Sequence, residues 1–346
     1  MTHTLHLGDC AGVLQFYKEN TFDSIVTDPP YGLNFMNKKW DYQVPSIDVW
    51  KECLRVLKPG GHLLSFSSAR TYHRMVVNVE DAGFEIRDQI MWVYGSGFPK
   101  SQNVSIAIDK KLAGMKPRGK RTNYGTTMKT SGTNHLTSTG ELIGSDKAMP
   151  KHEPLCEQSK QWEGWGTNLK PAHEPIVLAR KPISEKTIAL NVLKWGTGAI
   201  NVDKSRCEGG RFPANFIHNG IETEWSHYFY CAKASKKERN AGCEHLPDKE
   251  WMLQGLSGSV AEDGVSNKNG TGTVRGVSKN NHPTVKPQAL MSYLCGLITP
   301  PGGTILDPFM GSGSTGLAAI ASDYSFVGIE LDKDYLNIAK HRIENG

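Results

Sequence analysis

Two adjacent prolines close the apolar run Ser24-Ile25-Val26-Thr27, and no other feature of the sequence restricts the fold as tightly. The run reads as a short buried strand bounded by turn chemistry. Pro29 and Pro30 fix φ and remove two backbone donors, so the chain leaves the sheet in a stiff, extended turn. That turn presents three unlike groups at one strand end: the Asp28 carboxylate, the Pro29 carbonyl and the flat ring of Tyr31. Two acceptors and a ring are what an exocyclic amine on a flat base needs, for its two N–H bonds and for stacking. Taken alone, the tetrapeptide is also an ordinary turn with a tyrosine covering a core.

The flanking pattern sets the fold class. Thr4–Leu7 and Phe22–Val26 read as strands, with a helical pattern over Ala11–Glu19 between them, which implies a βαβ unit and a parallel sheet. In such sheets ligands bind at the carboxyl ends of strands, where Asp9 and Asp28 stand. A helix over Ile47–Leu57 is expected to stop at Lys58-Pro59-Gly60-Gly61, before a strand at His62–Phe66. Thr71–Ala82 reads as a helix, Phe84–Trp92 and Glu174–Ala179 as strands. The chain end alternates again: helix Gln288–Ile298, strand Thr304–Leu306, helix Gly316–Ala321, strand Ser325–Ile329 and helix Tyr335–Arg342. The expected class is α/β, a mostly parallel twisted sheet with helices on both faces and large irregular insertions. The expected division is 1–94 and 282–346 as two halves of one domain and 172–183 as a returning core strand. Residues 95–171 read as a basic irregular insertion, and 184–281 as a second tract poor in periodicity.

At 346 residues the chain is long enough for such a domain with insertions. The N-terminus has no secretory pattern and no apolar stretch is long enough to span a bilayer, so a cytoplasmic protein is expected. Seven cysteines form no C-x-x-C pair, and Cys207, Cys231, Cys243 and His245 fit no standard zinc spacing, so reduced thiols and no metal are expected. The net charge of +5 is modest but uneven. Lys110, Lys111, Lys116, Arg118, Lys120, Arg121 and Lys129 fall in a stretch without acidic residues, and a second cluster runs from Lys233 to Arg239. Most such runs are solvated faces, yet two in polar, Gly-rich segments suit a polyanion.

Gly311-x-Gly313 lies between a strand and a helix, and Glu330 stands about twenty residues on, at the end of the next strand, where an acidic residue reaches ribose hydroxyls. The third glycine, Gly316, does not fall where G-x-G-x-x-G requires it, and no lysine follows to grip phosphates. The ligand should contain a nucleoside without needing a pyrophosphate; S-adenosylmethionine fits that description better than NAD.

With Asp28-Pro-Pro-Tyr31 and Asp307-Pro-Phe-Met-Gly-Ser-Gly313 in this order, the chain resembles the amino-group DNA methyltransferases, in the motif arrangement of their beta group and most like the N6-adenine members of phages and prophages. The resemblance covers roughly Leu5–Trp92 and His282–Arg342, with shorter matches at Lys170–Ile176 and Phe229–Ser235. It implies a Rossmann-like fold dependent on S-adenosylmethionine, with the motif order permuted. It implies that Asp28 and Pro29 accept hydrogen bonds from the target amine, with Pro30 stiffening the turn and Tyr31 stacking on a flipped base. Asp9, Asp307, Phe309, Gly311, Gly313, Ser314, Thr315 and Glu330 would contact the cofactor, and His282, Thr284 and Lys286 would hold its methionine carboxylate. Lys38, Lys39, Lys116, Arg118, Lys120, Arg121, Lys236 and Lys237 would meet the phosphates of double-stranded DNA, and 184–281 would hold target recognition. Tyr124, Trp162 and Trp165 are candidates for stacking or wedging. The implied reaction is direct in-line transfer to the adenine N6 amine, without a covalent enzyme intermediate.

N4-cytosine methylation is the nearest rival, since it uses the same chemistry on another aromatic amine. A nicotinamide-dependent oxidoreductase would explain Gly311, Gly313 and Glu330 but not the tetrapeptide, and a DNA-binding protein with decayed catalysis would not need both motifs intact. Homodimerisation is expected by analogy only, and a restriction partner is not legible.

Overall fold

The computed structural model describes residues 2–34, 39–94, 101–112, 153–169, 171–206, 210–218, 229–231, 233–254, 273–282 and 284–345. The chain divides into two compact units: Met1–Gly95 with Ala172–Pro247 and His282–Gly346, and Ser96–Pro171 with Asp248–Asn281.

The first unit is built on one sheet. Its strands are β1 (His3–Leu7), β2 (Phe22–Thr27), β3 (Leu57–Phe66), β4 (Glu85–Val93), β5 (His173–Arg180), β6 (Phe216–His218), β7 (Phe229–Tyr230), β10 (Thr304–Asp307) and β11 (Ser325–Glu330). Among the described residues they lie in the order β1-β11-β10-β2-β3-β5-β4-β6-β7. β5 pairs antiparallel with both β3 and β4, and every other neighbouring pair is parallel. The mostly parallel sheet expected from the sequence is present.

Near-continuous apolar strands are what a sheet covered on both faces requires. Alternate residues of one strand separate into two cores, as a period of two dictates. Val26, Leu64, Ile176 and Leu178 face one core, completed by helices α8 (Gln288–Ile298), α9 (Ser314–Ala321) and α10 (Lys333–Asn345). Their neighbours Ile25, Leu63, Val177 and Ala179 face the other, completed by α1 (Cys10–Leu14), α2 (Ile47–Val56) and α3 (Tyr72–Asp81). Each fully buried aliphatic side chain here contributes about 1.5–3 kcal/mol of transfer free energy.

The strand order creates the place for a ligand. From β2 the chain proceeds through α2 to β3 on one side, and from β10 it proceeds through α9 to β11 on the other. β2 and β10 are adjacent and parallel, so their outgoing loops part at the carboxyl ends. This is a topological switch point, where open α/β sheets bind ligands.

Several elements differ from expectation. Lys58-Pro59-Gly60-Gly61 does not stop α2 as a loop but lies within β3, whose pairing with β2 is irregular at Phe22/Ser24. The first helix ends at Leu14 instead of reaching Glu19. The tract after Pro182 contains α6 (Ile188–Trp195), with Thr187 accepting from the Leu190 N–H and Gly196 closing the helix in the left-handed conformation. Its buried Asn191 donates to the Pro59 and Thr197 carbonyls at 2.8 Å each and so ties α6 to β3. A short α7 (Lys236–Asn240) follows β7.

In the second unit, α4 (Val104–Leu112) packs with α5 (Glu157–Gln161). Asp109 is buried and accepts from the Leu155 N–H. Trp162 and Trp165 meet edge to face with centroids 5.2 Å apart. β8 (Lys249–Gln254) and β9 (Thr273–Ser278) form an antiparallel pair. Among the described residues, no helix is long and apolar enough to cross a membrane.

Candidate active site

The carboxyl ends of β2 and β10 and the amino end of the antiparallel β5, which lie at one edge of the sheet, carry the ionisable groups that matter. Asp28 follows β2, and its two oxygens are held from different parts of the chain. The Tyr31 hydroxyl donates to Oδ1 at 2.6 Å, and the Lys286 ammonium donates to Oδ2 at 2.5 Å. Lys286 also donates to the Tyr31 hydroxyl oxygen at 3.3 Å and lies 3.4 Å from Oε2 of Glu174. Glu174, near the start of β5, accepts from Tyr31 on Oε2 at 3.2 Å and from the Tyr94 hydroxyl on Oε1 at 3.1 Å. The Lys286 ammonium lies 4.8 Å from the centroid of the Phe66 ring, and Lys233 lies 3.5 Å from that of Tyr94. Two carboxylates thus share one buried ammonium and one phenol.

The charges follow from this packing. Burial raises the Asp28 carboxyl above its ordinary range, Lys286 opposes that rise, and the neighbouring Glu174 charge adds to it. Burial would raise Glu174 too, but Lys286, Lys233 and the Tyr94 hydrogen bond outweigh it and hold this carboxyl low. Burial pushes Lys286 down, and Asp28 with Glu174 more than restore it, so the ammonium keeps its charge. Tyr31 is pushed far above its usual range by burial and the two carboxylates and remains a phenol. The site thus pushes its two carboxyls in opposite directions, Asp28 up and Glu174 down.

The turn itself is held by a residue that the motif does not name. Asp41 is buried, and its carboxylate accepts from the backbone N–H groups of Tyr31 at 2.7 Å, Gly32 at 3.0 Å and Leu33 at 3.2 Å. Gly32 takes φ +68°, and a Cβ there would lie 3.0 Å from the Val44 nitrogen, so glycine lets three N–H groups converge on one carboxylate.

Across the switch point, Asp307 at the end of β10 is 1% exposed and ties the two strand ends together. It accepts from Thr27 and Thr315 hydroxyls at 2.6 Å each and from the Phe309 N–H at 3.1 Å. Its carboxylate is enclosed by the chain's own donors, so what Asp307 does for a ligand passes through the loop it fixes. Burial pushes this carboxyl up to about 6, against an ordinary value of 3.8. The folded state therefore holds a proton that the unfolded state has released between those values, and ionisation costs stability as pH rises through the window. We expect wild type to lose about 2 kcal/mol relative to Asp307→Asn between pH 4 and pH 7, read from urea midpoints at each pH. A pH-independent difference would mean that the two hydroxyls fully compensate the burial.

The glycine loop after β10 closes on Glu330 and His282. Glu330 accepts from the Gly311 N–H and the Asp332 N–H at 2.8 Å each. Gly311 has φ +55°, and a Cβ there would sit 2.9 Å from His282 Nε2, so bare backbone is required where the loop meets the imidazole. His282 packs edge to face on Tyr335, and its carbonyl accepts from Arg239 at 2.9 Å. The buried Arg342 guanidinium donates to the Ser312 carbonyl at 2.7 Å and to the Ser312 and Ser314 hydroxyls at 3.1 and 3.2 Å. Asp9 is exposed after β1 and caps α1 by accepting from the Gly12 N–H at 3.2 Å. Phe309 packs edge to face on Trp50.

The structure brings Asp28, Tyr31 and Lys286 together and seats Lys286 on Asp28 and Glu174. It places Asp9, Asp307, Gly311 and Glu330 at neighbouring strand ends, and Thr284 on the surface. Lys38, Lys116, Arg118, Lys120, Arg121, Tyr124 and Cys207 lie outside the described residues. Only the backbones of Lys39 and Lys236 are described, and Lys237 is exposed on α7. Glu174, Tyr94 and Asp41 were not anticipated as site residues. The segment His173-Glu174-Pro175 opening an apolar strand was the available signal for Glu174, because an acidic residue entering a buried strand needs partners.

Comparison with known proteins gives consistent matches. An N6/N4 methyltransferase family model, described as DNA methylase, matches residues 22–341. The type II methyltransferase M.HindIII of Haemophilus influenzae is 25% identical over 302 residues, which cover 86% of this chain and 68% of that protein. The DNA adenine methyltransferase YhdJ of Escherichia coli is 44% identical over 64 residues, 18% of this chain and 22% of that protein. Among solved structures, the PvuII DNA methyltransferase, cytosine-N4-specific, aligns with a TM-score of 0.52 at 12% identity, covering 99% of this chain and 86% of that one, a likeness of fold.

Proposed function

The chain belongs to the N6/N4 DNA methylase family, whose methyl donor is S-adenosylmethionine, and from that premise we propose that it methylates the N6 amine of adenine in double-stranded DNA. The observation that carries this reading is the gathering of Asp28, Tyr31, Lys286 and Glu174 at the carboxyl end of β2, beside the strand that delivers the glycine loop.

The residues at the neighbouring strand ends fit the donor. Glu330 uses its oxygens on two backbone N–H groups and retains lone pairs for ribose hydroxyls. Gly311 lets the loop pack directly on the His282 ring, which fixes the backbone that would face the nucleoside. Asp9 and Phe309 would flank its base. The donor supplies an electrophilic methyl group on a sulfonium.

This chain's residues then act on the acceptor. An aromatic amine is a poor nucleophile because its lone pair is conjugated into the ring. Asp28 and the Pro29 carbonyl accept its two N–H bonds and favour rehybridisation, a stabilisation that grows toward the transition state. The rigid Pro29-Pro30 turn, tied down by Asp41, supplies orientation. Tyr31 offers its ring to a base taken out of the stack. Aspartate at the first motif position resembles the adenine enzymes, and the name of YhdJ gives adenine as its base.

The test is expression in a host lacking DNA methyltransferases, followed by single-molecule sequencing that maps modified bases. We expect N6-methyladenine recurring in one sequence context. N4-methylcytosine would keep the mechanism and change the base, and unmodified DNA from a chain shown to bind the donor would overturn the reading.

A further inference from the structure

We propose that Glu174 is a positioning residue of the methyl-transfer site: it anchors Lys286, Tyr31 and Tyr94 as a fixed counter-charge and so leaves the Asp28 carboxylate available to the target amine and to the proton that the reaction releases. The proposal rests on the reading of the site as an amino-methyltransferase centre and goes beyond it by assigning a residue outside both motifs.

The geometry requires such a group. Asp28 Oδ2 is occupied by Lys286, so an incoming amine competes with that ammonium for the same carboxylate. Glu174 lies 3.4 Å from the Lys286 ammonium and offers the charge that can hold it as the amine takes up Asp28. Without Glu174 the lysine would have Asp28 as its only anion in this cluster, and Asp28 would be neutralised where an acceptor is needed. Glu174 also accepts from Tyr31 at 3.2 Å, which steadies the ring offered to the base. Tyr94 at 3.1 Å fixes the other oxygen and so the orientation of the carboxylate.

The proton balance gives the second half of the argument. As the N–C bond forms, the donor's S–C bond breaks and a neutral thioether leaves. The alkylated nitrogen carries the positive charge and returns to neutrality by giving one N–H proton to Asp28. Every titratable or charged group described around Asp28 enters this balance. Tyr31 is a phenol and Lys286 an ammonium, so neither accepts a proton, while Lys233 and Tyr94 bear on Glu174 and hold its charge. Asp307 is enclosed by its own donors. Asp28 remains, with 18% of its side chain accessible for the proton to leave to water. Opposing environments on paired carboxylates mark the acid–base partner and its fixed companion.

The test is the pH profile of kcat for labelled methyl transfer to duplex DNA by the full chain, with donor affinity titrated separately. For Glu174→Gln we expect kcat to fall by roughly 10²-fold with donor affinity kept, and the acidic limb to move to lower pH, since a negative neighbour of Asp28 is gone. Glu174→Asp keeps the charge and is expected to retain the wild-type limb at reduced kcat. If Glu174→Gln binds no donor because it fails to fold, the charge-balanced pair Glu174→Gln with Lys286→Met replaces it. Its limb is then expected below that of Lys286→Met alone. Lost activity with an unmoved limb, or additive effects in the pair, would make Glu174 merely structural and overturn the proposal. Absence of transfer by the wild type would instead fail the underlying functional reading, and that control separates the two.

Discussion

Asp28→Ala is expected to lower methyl transfer by about 10³-fold, the upper end of what one preorganised group supplies, while donor binding by calorimetry changes little. The expectation follows from how the carboxylate is used. Asp28 closes no core and caps no helix; its partners are the Tyr31 hydroxyl and the Lys286 ammonium. Removing it leaves Lys286 beside Glu174, so no buried cation is orphaned and the fold should survive. The glycine loop proposed to meet the donor is fixed independently, by Glu330 on Gly311 and by Arg342 on Ser312 and Ser314. Joint loss of turnover and donor binding would show that Asp28 is structural.

Lys286→Met should be nearly as damaging, for a different reason. Its removal leaves Asp28 and Glu174 bonded to a single Tyr31 hydroxyl with no cation between them. Two carboxylates in one small site do not both ionise, so one must bind a proton. Asp28 is the carboxyl that its surroundings push up, and without the ammonium that opposes this its acidic limb in a kcat–pH profile should move to higher pH, opposite to the shift expected for Glu174→Gln. Turnover at neutral pH should fall by about 10²-fold. Breaking a buried pair from one side also costs about 3 kcal/mol, and that cost should shrink as pH is lowered and the stranded carboxylate protonates. Urea midpoints across pH check this. If Lys286 serves only the methionine carboxylate of the donor, KM for the donor would rise and the limb would stay in place.

How much of this site the sequence reveals depends on distance along the chain. Asp28 and Tyr31 are readable because strand, prolines and aromatic ring lie within a few residues, and the local chemistry is complete. Gly311 and Glu330 are readable because a strand–loop–helix–strand spacing carries them. Glu174 is not, because the bond that gives it meaning reaches a tyrosine 143 residues away. Asp41 is near in sequence, but its role depends on Gly32 adopting a left-handed conformation that makes three N–H groups converge. Lys286 is legible as a site residue, but its pairing with Asp28 is not, since only folding sets it against a carboxylate 258 residues away.

The fold shows the same division. Strands covered on both faces announce themselves as apolar runs, whereas α6 reads ambiguously because Ile188, Leu190, Val192 and Leu193 mix strand and helix periods. Its caps, Thr187 and Gly196, were the better signal. Lys58–Gly61 resembles a helix stop, but pairing with β2 and β5 draws it into β3, where tertiary context overrides local propensity.

Methyl transfer by this strand-end cluster to an adenine amine is read by incubating the purified chain with labelled S-adenosylmethionine and unmethylated duplex DNA, then digesting the DNA to nucleosides. We expect label in N6-methyladenine for the wild type and none above background for Asp28→Ala. Equal label in both proteins, or label in a nucleoside without an exocyclic amine, would contradict the proposed transfer.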